Sequence, residues 1–361
     1  MTLRAPFPWF GGKRRVADAV WRAFGADINN YVEPFAGSLA VLLGRPGGAG
    51  KIETVNDADR YLANFWRAVT AEPDEVARLA DWPINEADLH ARHKWLVDQA
   101  AFRERMHTDP DYYDVKIAAF WVWGICQWIG SGWCAEPNNH KHPKLDGIGK
   151  GVHANQGHQL PKLTVSDGCS GIGGVLAPTL ESRPWRQRPD LSSGPHGVHM
   201  PSLGNDRAIH GVSAPPATVW FRALQDRLRR VRVACGDWTR VLGPSVLGKG
   251  KNVGGRIPCG VLLDPPYSHD HRVPDLYVED DASISTRVRE WALEHGDDPD
   301  LRIALCGYAG EHEMPGSWTV MAWKAARGYA SKENYNRGLE RIWFSPHCLK
   351  AEQLSLLGDA R

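Results

Sequence analysis

The chain has 361 residues, of which 42% are hydrophobic and 24% are charged, and its formal net charge is +1 at pH 7. This composition excludes a generally disordered chain, and the length allows one large α/β domain with an insertion. No run of about 18 apolar residues occurs, so we expect no membrane-spanning helix.

Cysteine usage indicates the compartment. The seven cysteines are scattered along the chain and none belongs to a C-x-x-C pair, a pattern typical of a reducing environment. Residues 1–15 lack the apolar stretch and small-residue cleavage site of a signal peptide. We therefore expect a cytoplasmic protein without a disulfide framework.

The first 70 residues alternate between helical and strand patterns. Their apolar spacing predicts, in chain order, a helix over 14–24, a strand over 31–34, a helix over 38–43, a strand over 51–55 and a helix over 58–69. We expect Ser38 to cap the second of these helices and Asn56 or Asp57 to cap the third. This order is typical of the start of a doubly wound sheet.

Residues 72–216 have a different character. Helical patterns continue to about residue 129, and Gly, Pro, His and Asn dominate from 130 onward. The second part contains two cysteines and seven histidines, namely Cys134, Cys169, His140, His142, His153, His158, His196, His199 and His210. None of the usual zinc-ligand spacings occurs among them, so we predict no metal site and interpret the histidines as loop residues facing phosphate or solvent.

Tryptophans mark the boundary between these two parts. Trp121, Trp123, Trp128 and Trp133 could stack on bases. The first three lie in an apolar helical run, so we interpret them as core residues.

Regular α/β patterns resume at residue 217. They predict helices over 217–230 and 287–295 and strands over 231–235, 261–264, 302–306, 319–323 and 340–344. With the two earlier strands these make a mixed seven-stranded sheet of the Rossmann-like α/β class. The sequence therefore predicts a discontinuous catalytic domain, 1–71 and 217–361, with residues 72–216 inserted as a helical and loop-rich recognition region.

The most specific motif is Asp264-Pro265-Pro266-Tyr267, which directly follows an apolar strand. A carboxylate at a strand's carboxyl end lies where open α/β sheets bind ligands. The prolines have no N–H, so nearby carbonyls can face a ligand, and the tyrosine ring can stack on it. The motif predicts a pocket for a planar group with an exocyclic amine, whose N–H groups Asp264 and the Pro265 carbonyl accept.

Three further segments are weaker signals by themselves. Trp9-Phe10-Gly11-Gly12-Lys13 permits close backbone approach to a ligand, or is a flexible entry to the first helix. Residues 31–38 (YVEPFAGS) run from a strand through a tight turn. The acids in 56–59 (NDAD) follow the next strand, where a carboxylate can bind ribose hydroxyls or cap a helix.

Taken in order, WFGGK, EPFAGS, NDAD, the insertion, GDW at 236–238 and DPPY resemble the Dam-like, group α, DNA adenine-N6 methyltransferases of phages and bacteria. The resemblance covers roughly residues 6–70 and 217–348. One departure stands in the turn, where many relatives have F-x-G-x-G and this chain has Phe35-Ala36-Gly37-Ser38-Leu39.

The resemblance implies a role for each matching position. S-adenosylmethionine would bind at Phe35, Ala36 and Gly37, with Glu33 near its methionine part. Asp57 would bind the ribose hydroxyls. The remaining cofactor contacts would come from Trp9 and Lys13, which close over the cofactor, and from Asp237 and Trp238, which face its adenine. Asp264, Pro265, Pro266 and Tyr267 would hold the target adenine.

The implied reaction is direct in-line methyl transfer from S-adenosylmethionine to N6 of a flipped-out adenine in a short sequence of double-stranded DNA. Rival readings are methylation of RNA adenine, cytosine N4 or glutamine, and a catalytically silent DNA-binding protein of the same fold. A dehydrogenase is disfavoured because the chain lacks G-x-G-x-x-G.

Phosphate contacts could come from two groups of arginines, or these could be solvated surface residues. The groups are Arg183, Arg186, Arg188 and Arg222, Arg227, Arg229, Arg230, Arg232. A cognate restriction endonuclease is a further possible partner.

Overall fold

The structure is a computed structural model that describes residues 3–9, 13–128, 133–134, 217–249, 258–267, 283–323 and 340–350. Among these residues no helix has the length and apolar character needed to cross a membrane. The six cysteines in the described ranges form no disulfides and are all buried.

The described residues form a mixed seven-stranded sheet. In chain order its strands are β1 Asn30–Glu33, β2 Ile52–Asp57, β3 Val231–Cys235, β4 Cys259–Leu263, β5 Leu301–Tyr308, β6 Thr319–Ala322 and β7 Glu340–Phe344. Their spatial order is β3-β2-β1-β4-β5-β7-β6. Neighbours from β3 to β5 pair in parallel, whereas β7 runs antiparallel to both β5 and β6. The predicted Rossmann-like, mixed seven-stranded architecture is confirmed.

Helices cover both faces of this sheet. In chain order they are α1 Ala17–Phe24, α2 Ala40–Leu43, α3 Arg60–Ala71, α4 Pro73–Ala80, α5 Glu86–Val97, α6 Ala100–Thr108, α7 Val115–Gln127, α8 Ala217–Leu228, α9 Pro244–Leu247 and α10 Ile284–His295. Short 3-10 turns at Lys13–Arg15 and Trp238–Val241 complete the described elements.

Both predicted helix caps in the first 70 residues are wrong. α3 is capped by Asp59, whose carboxylate accepts the Tyr61 and Leu62 N–H groups. β2 extends through Asn56 and Asp57 and pairs with β3 there, so neither residue is available as a cap.

Ser38 does not cap α2. The cap position directly before α2 is taken by Leu39, which has a left-handed φ of 54° and makes no side-chain hydrogen bond to the helix. It lies at the position where the related turn has its second glycine. A left-handed φ strains a side chain with a Cβ by about 1–3 kcal/mol. Complete burial of Leu39 offsets that strain.

The larger part of the core joins the sheet to residues from the predicted insertion. Helices α4 to α7 contribute buried apolar side chains to the same cluster as α1, α3 and α8. Trp121, Trp123 and Trp128 are buried, so their interpretation as core residues is confirmed, and Trp133 is buried as well. The other face of the sheet packs on α10 and the 238–247 segment.

Candidate active site

The candidate site lies where the strand order reverses. β1 is hydrogen-bonded to β2 on one side and to β4 on the other, so connections leave the two halves of the sheet in opposite directions. In open α/β sheets ligands bind outside the carboxyl ends of the strands at this point. Glu33, Asp57 and Asp264 stand at or just after the carboxyl ends of these three neighbouring strands.

Lys13 joins the N-terminal segment to the DPPY motif. Its Nζ lies 2.7 Å from the Tyr267 hydroxyl and 3.0 Å from Asp264 Oδ1. It also lies 4.0 Å from Glu340 Oε2 at the start of β7. Because Lys13 is 4% exposed, one buried ammonium holds together residues from the two ends of the chain.

Tyr267 completes this buried cluster through its hydroxyl. The hydroxyl lies 2.9 Å from Glu340 Oε2 and 3.3 Å from Asp264 Oδ1. The Tyr267 ring is 7% exposed and makes an edge contact with Tyr308 at 4.6 Å between centroids. The ring predicted to stack on a base is therefore anchored through its hydroxyl and covered by neighbours in this structure.

Charges in the cluster stabilise one another. Burial lowers the pKa of Lys13, but the carboxylates of Asp264 and Glu340 outweigh burial and raise that pKa above its usual value. Burial raises the pKa of Tyr267, and the same two carboxylates raise it further. The ammonium and the neutral phenol are thus both strongly favoured.

Gly37 makes the turn after β1 tight. Its φ is +47°, and a Cβ there would lie 2.6 Å from Trp9 Nε1. Its N–H donates to Asp57 Oδ2 at 2.9 Å, and its carbonyl accepts the Trp66 indole N–H at 3.1 Å. The structure therefore brings the predicted Trp9, Gly37 and Asp57 together.

Asn56 connects the three strand ends on this side of the sheet. Its amide donates to the carbonyls of Pro34 at 3.0 Å and Gly236 at 2.9 Å. The backbone carbonyl of Asn56 accepts the Ala36 N–H at 2.8 Å. The residue considered only as a helix cap thus fixes the position of the EPFAG and GDW segments.

An aromatic pair lines the other side of the turn. Phe35 stacks on Trp238 with centroids 6.0 Å apart and planes inclined by 25°. The buried Trp238 Nε1 has no hydrogen-bond partner among the described residues. Asp237 is exposed, caps the following 3-10 turn through Thr239, and lies 4.0 Å from Arg287.

Residues 9–103 match the family model of D12 class N6 adenine-specific DNA methyltransferase. This segment is similar to that family, and the match spans about a quarter of the chain. The match includes Lys13, Glu33, Gly37 and Asp57 and confirms the Dam-like resemblance. It supports adenine-specific DNA methylation as the general activity. A comparison with curated proteins found no match.

The family match crosses the predicted domain boundary at residue 72, since it includes α4 and α5. These helices also share the main core with the sheet. The division into catalytic and recognition regions stays a prediction, and most of the proposed recognition region lies outside the described residues.

Two residues of the candidate site were not singled out from the sequence. Glu340 was predicted only as the first residue of a strand, and Trp323 only as the last residue of another. In the structure both are buried beside Lys13, whose Nζ is 5.4 Å from the centre of the Trp323 ring. A single acid beginning an apolar strand carries no local signal of this role.

The arginines considered for phosphate binding divide into different environments. Arg227 is buried and bonded to Glu53, so its assignment as a phosphate contact is wrong. Arg222 and Arg229 are exposed and paired with Asp74 and Asp226. Arg230 and Arg232 are exposed, whereas Arg183, Arg186 and Arg188 lie outside the described residues.

All seven histidines considered for zinc also lie outside the described residues, as does Cys169, while Cys134 is buried. Across the described ranges, no three His, Cys, Asp or Glu side chains are grouped as they would be to hold a metal ion.

Proposed function

We propose that the protein transfers a methyl group from S-adenosylmethionine to N6 of a flipped-out adenine in double-stranded DNA. The observation that carries this proposal is the placement of Asp264. Its carboxylate stands after β4 at the point where the strand order reverses, and Lys13 from the family-matched segment contacts it at 3.0 Å. It is also the only carboxylate of the DPPY motif.

The residues at the turn fit S-adenosylmethionine. Each Asp57 oxygen accepts one backbone N–H, from Gly37 and Asp59. These two bonds fix the carboxylate after β2, where an acid can accept hydrogen bonds from ribose hydroxyls. The unpartnered Trp238 Nε1 and the stacked Phe35 offer a donor and an aromatic surface for the adenine ring.

Local charge also supports a cationic methyl donor. Asp264 and Glu340 place two carboxyl groups beside the one Lys13 ammonium, so the described cluster is acidic. Bound S-adenosylmethionine supplies an electrophilic methyl group on a positively charged sulfur. An acidic pocket attracts that charge.

Asp264 is the group that orients the nucleophile. The adenine N6 lone pair is delocalised into the ring, and hydrogen bonds from N6–H to Asp264 and the Pro265 carbonyl favour a more tetrahedral nitrogen. The nitrogen then forms the new N–C bond while the C–S bonding electrons stay on sulfur. One N–H proton is released along the bond to Asp264 and passes to water. Catalysis comes from positioning and preorganised electrostatics, without a covalent enzyme intermediate.

The target base must leave the duplex to reach this pocket. In the structure the hydroxyl of Tyr267 is held by hydrogen bonds with Lys13 and Glu340. We propose that the ring, held in this way, stacks on the extruded adenine, and that residues 72–216 supply the contacts that select the sequence.

Replacing Asp264 tests the proposal directly. We expect Asp264→Ala and Asp264→Asn to lower the methylation rate by at least about a hundredfold, the scale of losing one preorganised polar group. Plasmid DNA from cells lacking their own adenine methylases would be digested and its nucleosides identified by mass spectrometry. Thermal unfolding would show whether each variant is folded.

Asp226→Ala is the matched control, because Asp226 is an exposed carboxylate on α8 with only a surface arginine as partner. It should leave N6-methyladenine at the wild-type level. N6-methyladenine at that level in folded Asp264→Asn would contradict the assignment of Asp264. Methylated cytosine or RNA adenine in place of DNA adenine would favour one of the rival substrates.

A further inference from the structure

Glu340 reaches the site because β7 runs against its neighbours. Tyr308, the last residue of β5, pairs with Glu340, the first residue of β7. An antiparallel strand begins at the sheet edge where its parallel neighbours end. The fold therefore places a buried carboxylate opposite the DPPY motif, 73 residues after Tyr267 in the chain.

The donors and acceptors around the Tyr267 hydroxyl indicate which carboxylate accepts its proton. Lys13 can only donate, so the Tyr267 oxygen accepts from Lys13 Nζ at 2.7 Å. The phenol has one proton to give, and two carboxylates of the described residues lie within its reach. Glu340 Oε2 is 2.9 Å away and Asp264 Oδ1 is 3.3 Å away. The shorter distance assigns the proton to Glu340.

This choice matters for Asp264. Its Oδ1 already accepts from Lys13, and a second strong bond from the Tyr267 hydroxyl to the same oxygen would make the Asp264 carboxylate a weaker acceptor for the target amine. We propose that Glu340 is a positioning residue, which accepts the Tyr267 hydroxyl proton and so leaves the Asp264 carboxylate available to the substrate amine. This inference rests on the proposed methyltransferase function.

Burial of Glu340 supports this role. The side chain is 5% exposed, and a buried carboxylate without a donor would be costly. Its pKa is raised by burial, against the opposing effect of Lys13. The hydroxyl of Tyr267 and the ammonium of Lys13 are the partners that make an acid tolerable here.

A double-mutant cycle between Glu340 and Tyr267 tests the inference. Glu340→Leu removes the acceptor, so the hydroxyl should turn to Asp264 and lower kcat by about tenfold or more, the scale of a charge-assisted hydrogen bond. The KM for S-adenosylmethionine should stay nearly unchanged. In the Tyr267→Phe background there is no hydroxyl to redirect, and the same substitution should change kcat by less than about threefold.

Glu340→Gln is the conservative variant, and it keeps the inference testable if Glu340→Leu does not fold. Its side-chain carbonyl can still accept the hydroxyl proton, so kcat should return to within about threefold of wild type. An equal loss from Glu340→Leu in both backgrounds would overturn the inference, because Glu340 would then act independently of the Tyr267 hydroxyl. No loss in the wild-type background would overturn it as well.

A readout without turnover separates this inference from the proposed function. The carboxyl carbon of Asp264 can be observed by carbon-13 NMR with labelled aspartate and assigned by its disappearance in Asp264→Asn. Glu340→Leu should shift this signal when Tyr267 is present and leave it unchanged in the Tyr267→Phe background. If wild type methylates no DNA but the signal behaves in this way, the proposed function fails and the positioning role stands. An unshifted signal rejects the positioning role.

Discussion

Glu33 and Asp264 follow neighbouring strands but meet very different surroundings. Glu33 is 3% exposed and accepts the Tyr31 hydroxyl at 3.0 Å. Burial raises the pKa of Glu33 well above its usual value, although the Tyr31 bond acts in the opposite direction. The protonated form of Glu33 is therefore favoured, whereas Asp264 faces the Lys13 ammonium.

This difference predicts a pH-dependent effect of Glu33→Gln. Because the folded pKa of Glu33 is raised, its contribution to stability is greatest at low pH and falls as pH rises from the usual range of a glutamate through the raised pKa. Glutamine does not titrate, so the variant should gain free energy of unfolding relative to wild type as pH rises above the usual range of a glutamate. Urea unfolding without cofactor measures this gain.

Glu72→Gln is the matched control. Glu72 accepts the Tyr113 hydroxyl at the same 3.0 Å, but on the surface. This variant removes the same kind of hydrogen bond at an exposed site, so the Glu33→Gln curve is compared with it at each pH. A Glu33→Gln curve parallel to the wild-type curve would contradict the assignment of a protonated Glu33.

At the scale of elements, α8 is fastened to the sheet by a buried ion pair. Arg227 donates to both Glu53 oxygens, at 2.7 and 3.0 Å, and to the Leu42 carbonyl at 2.8 Å. Arg45 approaches the same carboxylate at 3.1 Å. One glutamate on β2 therefore fixes α8 and the end of α2 against the sheet.

Arg227→Ala should cost about 3–5 kcal/mol, because it leaves a buried carboxylate with one of its partners missing. Arg222→Ala on the same helix breaks an exposed bidentate pair with Asp74 and should cost at most about 1 kcal/mol. Urea unfolding of both variants measures the difference. Equal losses would mean that the buried pair contributes no more than a surface pair.

The sequence predicted most elements because their apolar spacing is local. The strand patterns at 231–235 and 340–344 match β3 and β7 to the residue. The cap of α3 was predicted wrongly because Asn56, Asp57 and Asp59 are all good cap residues. Only the pairing of β2 with β3 decides which of them remains available as the cap. The apolar stripe of α8 likewise gave no sign that Arg227 faces inward, since its partner is supplied by β2.

At the scale of the whole molecule, helices from the predicted insertion and the sheet share a core. The Trp121 ring lies 5.1 Å from Phe7 and 5.8 Å from Phe65, and it approaches Trp9 at 6.5 Å. Trp9 in turn lies against Gly37 in the turn after β1. Packing therefore links α7 directly to the candidate cofactor turn.

Trp121→Ala should lower the free energy of unfolding by about 3–5 kcal/mol, the cost of removing a buried aromatic side chain. The loss should appear in the unfolding of the sheet as well as in that of the helices. Far-ultraviolet circular dichroism during urea unfolding measures both. Trp82→Ala is the control, because Trp82 is 45% exposed, and it should cost much less. An unchanged sheet transition in Trp121→Ala would show that the inserted helices are an independent domain.

The candidate site could be predicted in part because some of its residues directly follow strands with a local apolar pattern. Asp264 and Asp57 follow apolar strands, so their place at the sheet edge could be predicted from local patterns. Lys13 was predicted as a cofactor residue, and its contacts with Asp264 and Tyr267 depend on bringing the two ends of the chain together. Glu340 joins them only through the antiparallel course of β7.

The central claim is the transfer of a methyl group from S-adenosylmethionine to adenine N6 in DNA. The most direct measurement incubates the purified chain with duplex DNA and S-adenosylmethionine carrying a fully deuterated methyl group. Mass spectrometry of the digested nucleosides should then show N6-methyldeoxyadenosine carrying all three deuterium atoms, and Asp264→Asn should lack it. Label on another base or on the protein, or no label on DNA of varied sequence, would contradict the account.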